Sequence, residues 1–322
     1  MKTVSIIVPV HDEQDTIVPL VEAVTAVFRQ SLEGIASLSE IVIVDDGSRD
    51  QTWVAIQRAV ELSDRVTGIR LRRNFGKAAA LQEGIQASAG GVIITMDGDL
   101  QDDPLEIPRF LAKMAEGFDL VSGWKEVRHD PPGKTLPSKL FNGVTALVTG
   151  VRLHDFNCGF KAYDRRIFED IRLYGELHRF MPALADHAGY RVGEISVTHH
   201  PRRFGRSKYG MRRLLKGFLD LLTVLTITRF SRRPGHLFGG LGVAMGALGG
   251  GMMLYLVILW FMGNAIGDRP LLILAVLLMI VGVQFLFFGM IAELLVNIDQ
   301  RGSRGARSLA AEITRRAPAA GS

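Results

Sequence analysis

Cysteine is nearly absent from this sequence of 322 residues, in which Cys158 stands alone. A single cysteine excludes an intrachain disulfide and a metal site built from several thiolates. It fits a reducing compartment for the soluble part of the chain. A charged leader with a cleavage site is also missing, because the first residues form a short apolar run, MKTVSIIVPV, that ends at His11. We therefore expect this run to be a buried strand rather than a signal peptide.

Charged side chains are absent from two long segments in the last third of the chain, Phe238 to Met262 and Leu271 to Ala292. At 1.5 Å per residue, each forms a helix longer than the roughly 30 Å hydrocarbon core of a bilayer. The short connection between them predicts a transmembrane helical hairpin. Arginines cluster outside the hairpin, whereas the connection carries only Asp268 and Arg269. The positive-inside rule therefore predicts an inner-membrane protein with both termini and the soluble domain in the cytoplasm.

These features predict four regions along the chain. Residues 1–208 form a soluble domain, and residues 209–236 form a juxtamembrane amphipathic helix and basic linker. Residues 237–298 hold two transmembrane helices, 238–262 and 271–295, and residues 299–322 form a basic, disordered tail. A cationic linker beside a membrane span is typical of binding to anionic lipid headgroups of the bilayer. No nucleic-acid motif accompanies it, so a nucleic-acid partner is not expected.

Glycine recurs at every fourth position of the first apolar segment, at Gly242, Gly246 and Gly250. Small residues at this spacing permit helices to approach closely. The spacing leaves two interpretations open. The glycine face packs against the second helix of the same chain, or it supports a homo-oligomer through the transmembrane helices.

The first hundred residues alternate between short apolar runs and segments with helical spacing. Strands are predicted at Val4–Val10, Glu40–Val44, Val66–Leu71 and Val92–Met96, and helices between them at 15–29, 52–62 and 76–87. Further strands are predicted at 118–123 and 192–199, and further helices at 140–149 and 209–228. Such alternation predicts βαβ units and an α/β fold with a mainly parallel sheet and helices on both faces.

Acidic clusters follow three of these predicted strands. His11-Asp12-Glu13 follows the first, Asp45-Asp46-Gly47-Ser48 the second, and Asp97-Gly98-Asp99 the fourth. Parallel strands bind ligands beyond their carboxyl ends, which meet at one edge of the sheet. A single acidic turn is explained by turn geometry alone. Three of them at one edge predict a binding site.

The Asp97-Gly98-Asp99 triplet predicts a metal site within that edge. Two carboxylates one residue apart repel each other unless a positive group compensates their charge. A hard divalent cation with oxygen ligands does so, and it can also bridge the oxygens of a diphosphate. Gln101 follows closely and offers a neutral oxygen ligand.

Several motifs together resemble those of glycosyltransferase family 2. They are VSIIVPVHDE, VDDGSRDQT, RNFGKAAAL and MDGDLQDDP, followed by HDFNCGFKAYDRR and RRFGRSKYG. The resemblance covers residues 3–230 and is strongest to the polyprenyl-phosphate branch, which includes dolichol-phosphate mannose synthases and bacterial polyprenyl-phosphate glucosyltransferases. It implies a GT-A (Rossmann-like) catalytic domain at 1–208, inverting chemistry and dependence on Mg2+ or Mn2+.

The resemblance also implies a role for individual residues. The residues implied to bind the nucleotide-sugar are Pro9, His11, Glu13, Asp45, Asp46, Lys77 and Asp97. The implied metal ligands are Asp99, Gln101 and Asp97, and the implied catalytic residues are Asp155 and Asp97. The implied acceptor and diphosphate ligands are Lys125, Arg128, Arg202, Arg206, Ser207 and Lys208. Lys125 stands where relatives often have arginine, which alters its hydrogen bonding to a phosphate.

Asp155 has two open interpretations besides a purely structural one as a helix cap or salt-bridge partner. An acidic residue at this place is a general base in many inverting transferases. A lipid phosphate, however, is already anionic near neutral pH and needs positioning more than deprotonation. Asp155 is therefore expected either to act as a base or to orient the acceptor or the sugar.

The function expected from these observations is inverting transfer of a single sugar from a nucleotide-sugar to polyprenyl phosphate. UDP-glucose is the favoured donor, GDP-mannose is a second, and the acceptor is undecaprenyl or dolichyl phosphate. The product would serve as a sugar donor for cell-envelope glycosylation. One alternative is a processive polysaccharide synthase, but the chain lacks the Gln-x-x-Arg-Trp motif of those relatives. The other is a non-catalytic membrane scaffold, which the intact acidic motifs disfavour.

Overall fold

The computed structural model describes residues 2–126, 142–143, 145–146, 149–171, 173, 177–201, 234–267 and 269–303. The chain divides into two compact units, residues 1–228 and 229–322. The first unit is an α/β domain built on one sheet, and the described part of the second unit is a pair of long helices.

The first unit contains seven strands and six helices among its described residues. The strands are β1 (Lys2–Val10), β2 (Ala36–Asp45), β3 (Val66–Arg70), β4 (Val92–Thr95), β5 (Leu120–Trp124), β6 (Lys161–Asp164) and β7 (Val192–Ser196). The helices are α1 (Ile17–Gln30), α2 (Thr52–Leu62), α3 (Lys77–Ala87), α4 (Ile107–Ala115), α5 (Ile167–Asp170) and α6 (Met181–His187). Short 3-10 helices lie at Pro104–Glu106 and Leu177–Arg179.

The seven strands form one sheet in the order β3-β2-β1-β4-β6-β5-β7. All pairs are parallel except those of β6, which runs antiparallel to both β4 and β5. The carboxyl ends of the other six strands therefore lie at the same edge as the amino end of β6. This edge is called the catalytic edge below. The mainly parallel sheet predicted from the sequence is confirmed.

The apolar run of β1 explains why helices cover both faces of the sheet. Alternate side chains of a strand point to opposite faces. Ile6 packs in a core cluster with Leu20 and Val24 of α1, on one face. Ile7 packs in a second cluster with Leu81 of α3, on the other face. Burial on both faces is why this strand reads as a continuous apolar run rather than an alternating one.

Strand β6 was not predicted from the sequence. It has only four residues and begins with a lysine that is 2% exposed, so it carries no apolar run of strand length. Helices α4, α5 and α6 were not predicted either, and the remaining differences in this unit are shifts of boundaries, the largest being β2, which begins at Ala36 instead of Glu40. The helix predicted at 140–149 lies mostly, and the helix at 209–228 entirely, outside the described residues.

The described part of the second unit contains α7 (Pro234–Phe261) and α8 (Pro270–Ser303). Within them, Phe238–Phe261 and Pro270–Leu295 are long and apolar enough to cross a bilayer. A Cβ atom added to Gly242 would lie 2.7 Å from the carbonyl oxygen of Gly282, so the helices touch through glycine. One added to Gly246 or Gly250 would meet no atom within 4 Å. A Cβ atom added to Gly282 would lie 2.9 Å from the backbone nitrogen of Gly246, so packing within the chain uses Gly242 and Gly246, while the oligomer stays a prediction.

Candidate functional site

The loops after β1 and β2 are tied together at the catalytic edge. The amide of Asp12 donates a hydrogen bond to Oγ of Ser48 (2.9 Å), and the amide of Glu13 donates to Oγ1 of Thr52 (2.8 Å). Pro9, in β1, and His11 and Glu13 beyond it are partly exposed at this edge. The predicted nucleotide residues of the first motif are therefore brought beside those of the second.

The two carboxylates at the end of β2 fix neighbouring backbone. Buried Asp45 accepts a hydrogen bond from the amide of Ser48 through Oδ1 (2.8 Å). Asp46 accepts from the amides of Phe75 (2.7 Å) and Gly76 (3.0 Å), one on each oxygen. Asp46 therefore holds the loop that leads into α3. The geometry of this loop positions Lys77, the first residue of α3.

Lys77 and Asp97 form an ion pair across the catalytic edge. The ammonium of Lys77 contacts Oδ1 of Asp97, and each side chain is about one-third exposed (32% and 33%). Burial disfavours the charged form of Asp97, but the attraction of Lys77 outweighs it and holds the pKa of the carboxyl well below its usual range. Asp97 is therefore an anion at neutral pH, with a cation beside it that can reach a diphosphate.

Asp99 and Gln101 lie in a strained turn after β4. Leu100 between them has φ of 57°, and Asp12 is the other non-glycine residue with positive φ in the described chain. Such conformations are costly and concentrate at functional sites. Asp99 is 8% exposed, and its Oδ1 accepts from the amide of Gln101 (3.2 Å). The Gln101 side-chain amide donates to the carbonyl of His200 (3.1 Å).

The donor set of this turn fits a hard divalent cation. Among the residues that the structure describes, no three histidine, cysteine, aspartate or glutamate side chains converge as a preformed cage. The predicted ligands Asp97, Asp99 and Gln101 offer only oxygen atoms, which Mg2+ and Mn2+ prefer. Mg2+ commonly takes one or two protein carboxylates and completes its shell with water and substrate phosphate. Two carboxylates and one amide oxygen would suit a site of that open kind.

Lys125, predicted to bind the acceptor phosphate, forms a buried ion pair instead. Its Nζ lies 2.9 Å from Oδ1 of Asp102, and Asp102 is 1% exposed. Burial disfavours the ammonium, yet Asp102 outweighs this effect and raises the pKa of Lys125. The other oxygen of Asp102 accepts from the amide of Asp97 (3.3 Å). Lys125 therefore braces the turn after β4 in this structure.

Asp155 lies in a tightly bonded loop that precedes β6. Asp155 is 1% exposed, and its Oδ1 accepts from the amide of Asn157 (3.0 Å). Its own amide donates to Oε1 of Glu194 (3.1 Å). The loop reaches the catalytic edge because β6 runs opposite to its neighbours, so that residues before β6 lie where the other strands end. The direction of this one strand brings Asp155 to the other predicted residues.

Some predicted residues fall outside the part of the chain that the structure describes. They are Arg128, Arg202, Arg206, Ser207 and Lys208.

Two residues of the site were not predicted from the sequence. They are Lys161 and Glu194, whose side chains hold the loop that carries Asp155. The only signal for Lys161 was a lysine between Phe160 and Ala162, two apolar residues. Burial raises the pKa of the Cys158 thiol to about 12, which disfavours the reactive thiolate at neutral pH.

Comparison with known proteins identifies the family. Residues 5–172 match the family model of glycosyl transferase family 2, more than half of the chain. The chain belongs to glycosyltransferase family 2. It is 40% identical over 307 residues to a dodecaprenyl-phosphate galacturonate synthase of Rhizobium johnstonii, covering 92% of this chain and 88% of the relative. It is 35% identical to an undecaprenyl-phosphate 4-deoxy-4-formamido-L-arabinose transferase of Pseudomonas fluorescens, covering 98% and 92%.

Solved structures confirm the GT-A fold of this family 2 glycosyltransferase. A glucosyl-3-phosphoglycerate synthase from Mycobacterium tuberculosis, crystallised with Mn2+ and UDP-glucose, superposes with a TM-score of 0.52. The two chains are 17% identical over 70% of this chain and 79% of that one. At this identity the likeness concerns the fold alone.

Proposed function

We propose that this glycosyltransferase moves a single sugar from a nucleotide-sugar to polyprenyl phosphate, with inversion, at the cytoplasmic face of the inner membrane. The observation that carries the proposal is the near full-length similarity to two relatives, both named for a polyprenyl-phosphate product or acceptor. The similarity extends over the two apolar helices as well as the sheet. The two helices would anchor the enzyme in the bilayer that contains its acceptor.

The donor half of the site is assigned to the loops after β1, β2 and β4. Pro9, His11 and Glu13 are proposed to line the nucleotide pocket, whose walls Asp45 and Asp46 hold in place. Lys77 is proposed to turn from Asp97 toward the diphosphate, since an ammonium serves phosphate as a compact point charge.

Asp97, Asp99 and Gln101 are proposed to hold Mg2+ or Mn2+. A bound divalent cation would neutralise charge that develops on the departing diphosphate. Support comes from the oxygen-only donor set at a buried strand end and from structures of the same fold that contain Mn2+ or Mg2+ together with UDP.

The acceptor half is assigned to Asp155 and to cationic residues of which most lie outside the described part of the chain. A polyprenyl phosphate is anionic near neutral pH and attacks without losing a proton. Asp155 is therefore proposed to orient the acceptor or the sugar. Arg128, Arg202, Arg206, Ser207 and Lys208 are proposed phosphate ligands, and Lys125 joins them only if it leaves Asp102.

The identity of the donor sugar is the finer part of the proposal. The sequence favours UDP-glucose, with GDP-mannose second, yet the names of the two relatives specify a galacturonate and a formamido-arabinose. The product of any of these sugars would be a lipid-linked donor for glycosylation of the cell envelope. The panel that tests the donor must therefore include neutral, carboxylated and amino-derived sugars.

The test uses membranes that contain the full-length protein, polyprenyl phosphate, Mn2+ and a panel of labelled nucleotide-sugars. We expect one donor of the panel to give a labelled lipid that partitions into the organic phase. Membranes with the Asp99→Ala variant serve as the matched control and should give none. Absence of labelled lipid with every donor, from protein shown to be folded, would contradict the proposal.

A further inference from the structure

Two side chains of opposite charge, buried Lys161 and partly buried Glu194, hold the backbone of the loop that carries Asp155. The loop, residues 154–160, is called the Asp155 loop below. The ammonium of Lys161, on β6, contacts carbonyl oxygens of this loop, and the carboxylate of Glu194, on β7, accepts hydrogen bonds from its amides. A cation and an anion from different strands therefore bind the same short segment.

Lys161 is the first residue of β6 and binds the loop through its ammonium group. Its Nζ donates to the carbonyl of Phe156 (3.2 Å) and makes a second contact with the carbonyl of Cys158. The residue is 2% exposed. Burial lowers the pKa of Lys161 to about 8, which leaves the ammonium mainly protonated at neutral pH. A buried ammonium is expensive, so an apolar residue would fill this space more favourably if packing were the only requirement.

Glu194 lies on β7 and binds the loop through its carboxylate. Its Oε1 accepts from the amides of His154 (3.0 Å) and Asp155 (3.1 Å), and its Oε2 lies 2.7 Å from Nδ1 of His154. The His154 ring in turn stacks on Trp124, with ring centroids 4.1 Å apart. Asp155 is thereby fixed at its main chain by a charged group 39 residues away.

The far end of the loop lies against the Lys77–Asp97 pair. Oγ1 of Thr95 donates to the carbonyl of Gly159 (2.8 Å). A Cβ atom added to Gly159 would lie 2.6 Å from Oδ1 of Asp97 and 2.8 Å from Nζ of Lys77. The loop therefore lies in close contact with the residues proposed to meet the diphosphate, so a shift of the loop would change the surroundings of that pair.

We propose that Lys161 and Glu194 are positioning residues that clamp the Asp155 loop against the Lys77–Asp97 pair. The clamp sets Asp155 and the pair at the distance that transfer requires, without either clamp residue touching the substrate. The role of the clamp in transfer rests on the proposed function, whereas its effect on the position of the loop is independent of that function.

The first test replaces Lys161 in the full-length protein, with Lys113→Met as matched control. Lys113 lies on α4, is partly exposed and pairs with Glu116, so the control makes the same chemical change away from the edge. In Lys161→Met we expect amide hydrogen exchange in the Asp155 loop to accelerate about tenfold, because hydrogen bonds to its carbonyls are lost. We expect exchange in α1 to stay unchanged.

Kinetics and binding separate positioning from stability. In Lys161→Met, kcat should fall about 100-fold, the cost of a small misplacement of reacting groups. The KM for the donor and the affinity for the nucleoside diphosphate with Mn2+, UDP or GDP, should stay within a factor of about three, because the loops after β1 and β2 are untouched. Lys161→Arg, which keeps the charge and donors, should recover part of kcat.

Glu194→Met provides an independent variant from the other strand and should lower kcat with the same pattern. Unchanged loop exchange in both variants would overturn the clamp, and so would loss of the fold or of nucleotide binding in both, which would make the role structural. Full kcat with a loosened loop would also overturn it. Failure of the wild-type protein to transfer sugar to polyprenyl phosphate would instead contradict the proposed function, while the exchange experiment still decides whether the clamp holds the loop.

Discussion

The two halves of the sheet hold their functional residues in different ways. In the half made of β3, β2, β1 and β4, carboxylates such as Asp45 and Asp46 accept hydrogen bonds from backbone amides of nearby loops. In the half made of β6, β5 and β7, two charged side chains hold the Asp155 loop, namely buried Lys161 and partly buried Glu194. Local turns therefore position the functional residues of the first half, whereas contacts between residues far apart in the sequence position those of the second half.

We expect the two halves of the sheet to have different functions in sugar transfer. The first half provides an edge of acids and amides suited to a nucleotide and a cation. The second half positions Asp155, which is proposed to orient the acceptor or the sugar. A variant in the first half should therefore remove binding of the cation or nucleotide, whereas a variant in the second should lower turnover with binding retained.

The largest effect is expected for Asp99→Ala, in the first half. Loss of this carboxylate removes a proposed cation ligand and with it electrostatic stabilisation of the leaving group, so transfer should fall about 1,000-fold. The measurement is initial rate of labelled lipid formation at several Mn2+ concentrations. The far-UV circular dichroism spectrum should be unchanged. Transfer within a few-fold of wild type would remove Asp99 from the cation site.

Gly159→Ala tests the second half and should lower kcat about 100-fold through displacement of the Asp155 loop. The added methyl group would lie 2.6 Å from Asp97, which requires the loop or the ion pair to move. Gly91→Ala is the matched control, because its methyl group would meet the nearest atom at an ordinary 3.6 Å. Equal turnover of the two variants would show that the loop tolerates displacement.

Raising the pH should stabilise the wild-type protein relative to Lys161→Met. Burial lowers the pKa of Lys161 from 10.5 to about 8 in the folded protein. Between these values the unfolded state binds more protons at this residue, so the free energy of unfolding rises with pH. The difference between wild type and variant should grow by roughly 2–3 kcal/mol from pH 8 to 10.5.

Thermal unfolding of both proteins in the same detergent, at half-unit steps of pH, measures this difference. Groups that do not interact with Lys161 titrate alike in both proteins and cancel in the comparison. A difference that stays constant with pH, or that shrinks, would contradict the buried charge.

The smallest effect is expected for Thr95→Val, where the two halves meet. The variant keeps the shape of the side chain but removes the hydroxyl that donates to the carbonyl of Gly159. A buried hydrogen bond contributes about 1 kcal/mol, so the thermal midpoint should fall slightly and kcat about fivefold. Thr67→Val, on the exposed face of β3, is a suitable control. A loss of nucleotide affinity as large as the loss of kcat would contradict the division between the halves.

The first half of the site was predictable from the sequence because its signals are local. An apolar run followed by an acidic cluster marks a strand and its end, and parallel pairing brings such ends together. The α/β fold and the two long apolar helices were predictable for the same reason, since their periodicity and length are properties of short segments.

The second half was not predictable in the same way. Strand β6 has four residues, and its reversed direction depends on pairing with β4 and β5 rather than on its own sequence. The link between Glu194 and Asp155 spans 39 residues, and no local pattern encodes it. The sequence likewise presented Lys125 as a cation available to phosphate, while the fold pairs it with buried Asp102.

Transfer by the purified full-length protein to polyprenyl phosphate, compared with the matched polyprenyl alcohol, tests the central claim most directly. Nucleoside diphosphate release and labelled lipid are measured together, with Mn2+ and with EDTA. We expect one diphosphate per glycolipid, formed only with the phosphate acceptor and Mn2+, because the anionic phosphate is itself the nucleophile. Equal transfer to the alcohol, or transfer that persists in EDTA, would contradict the account.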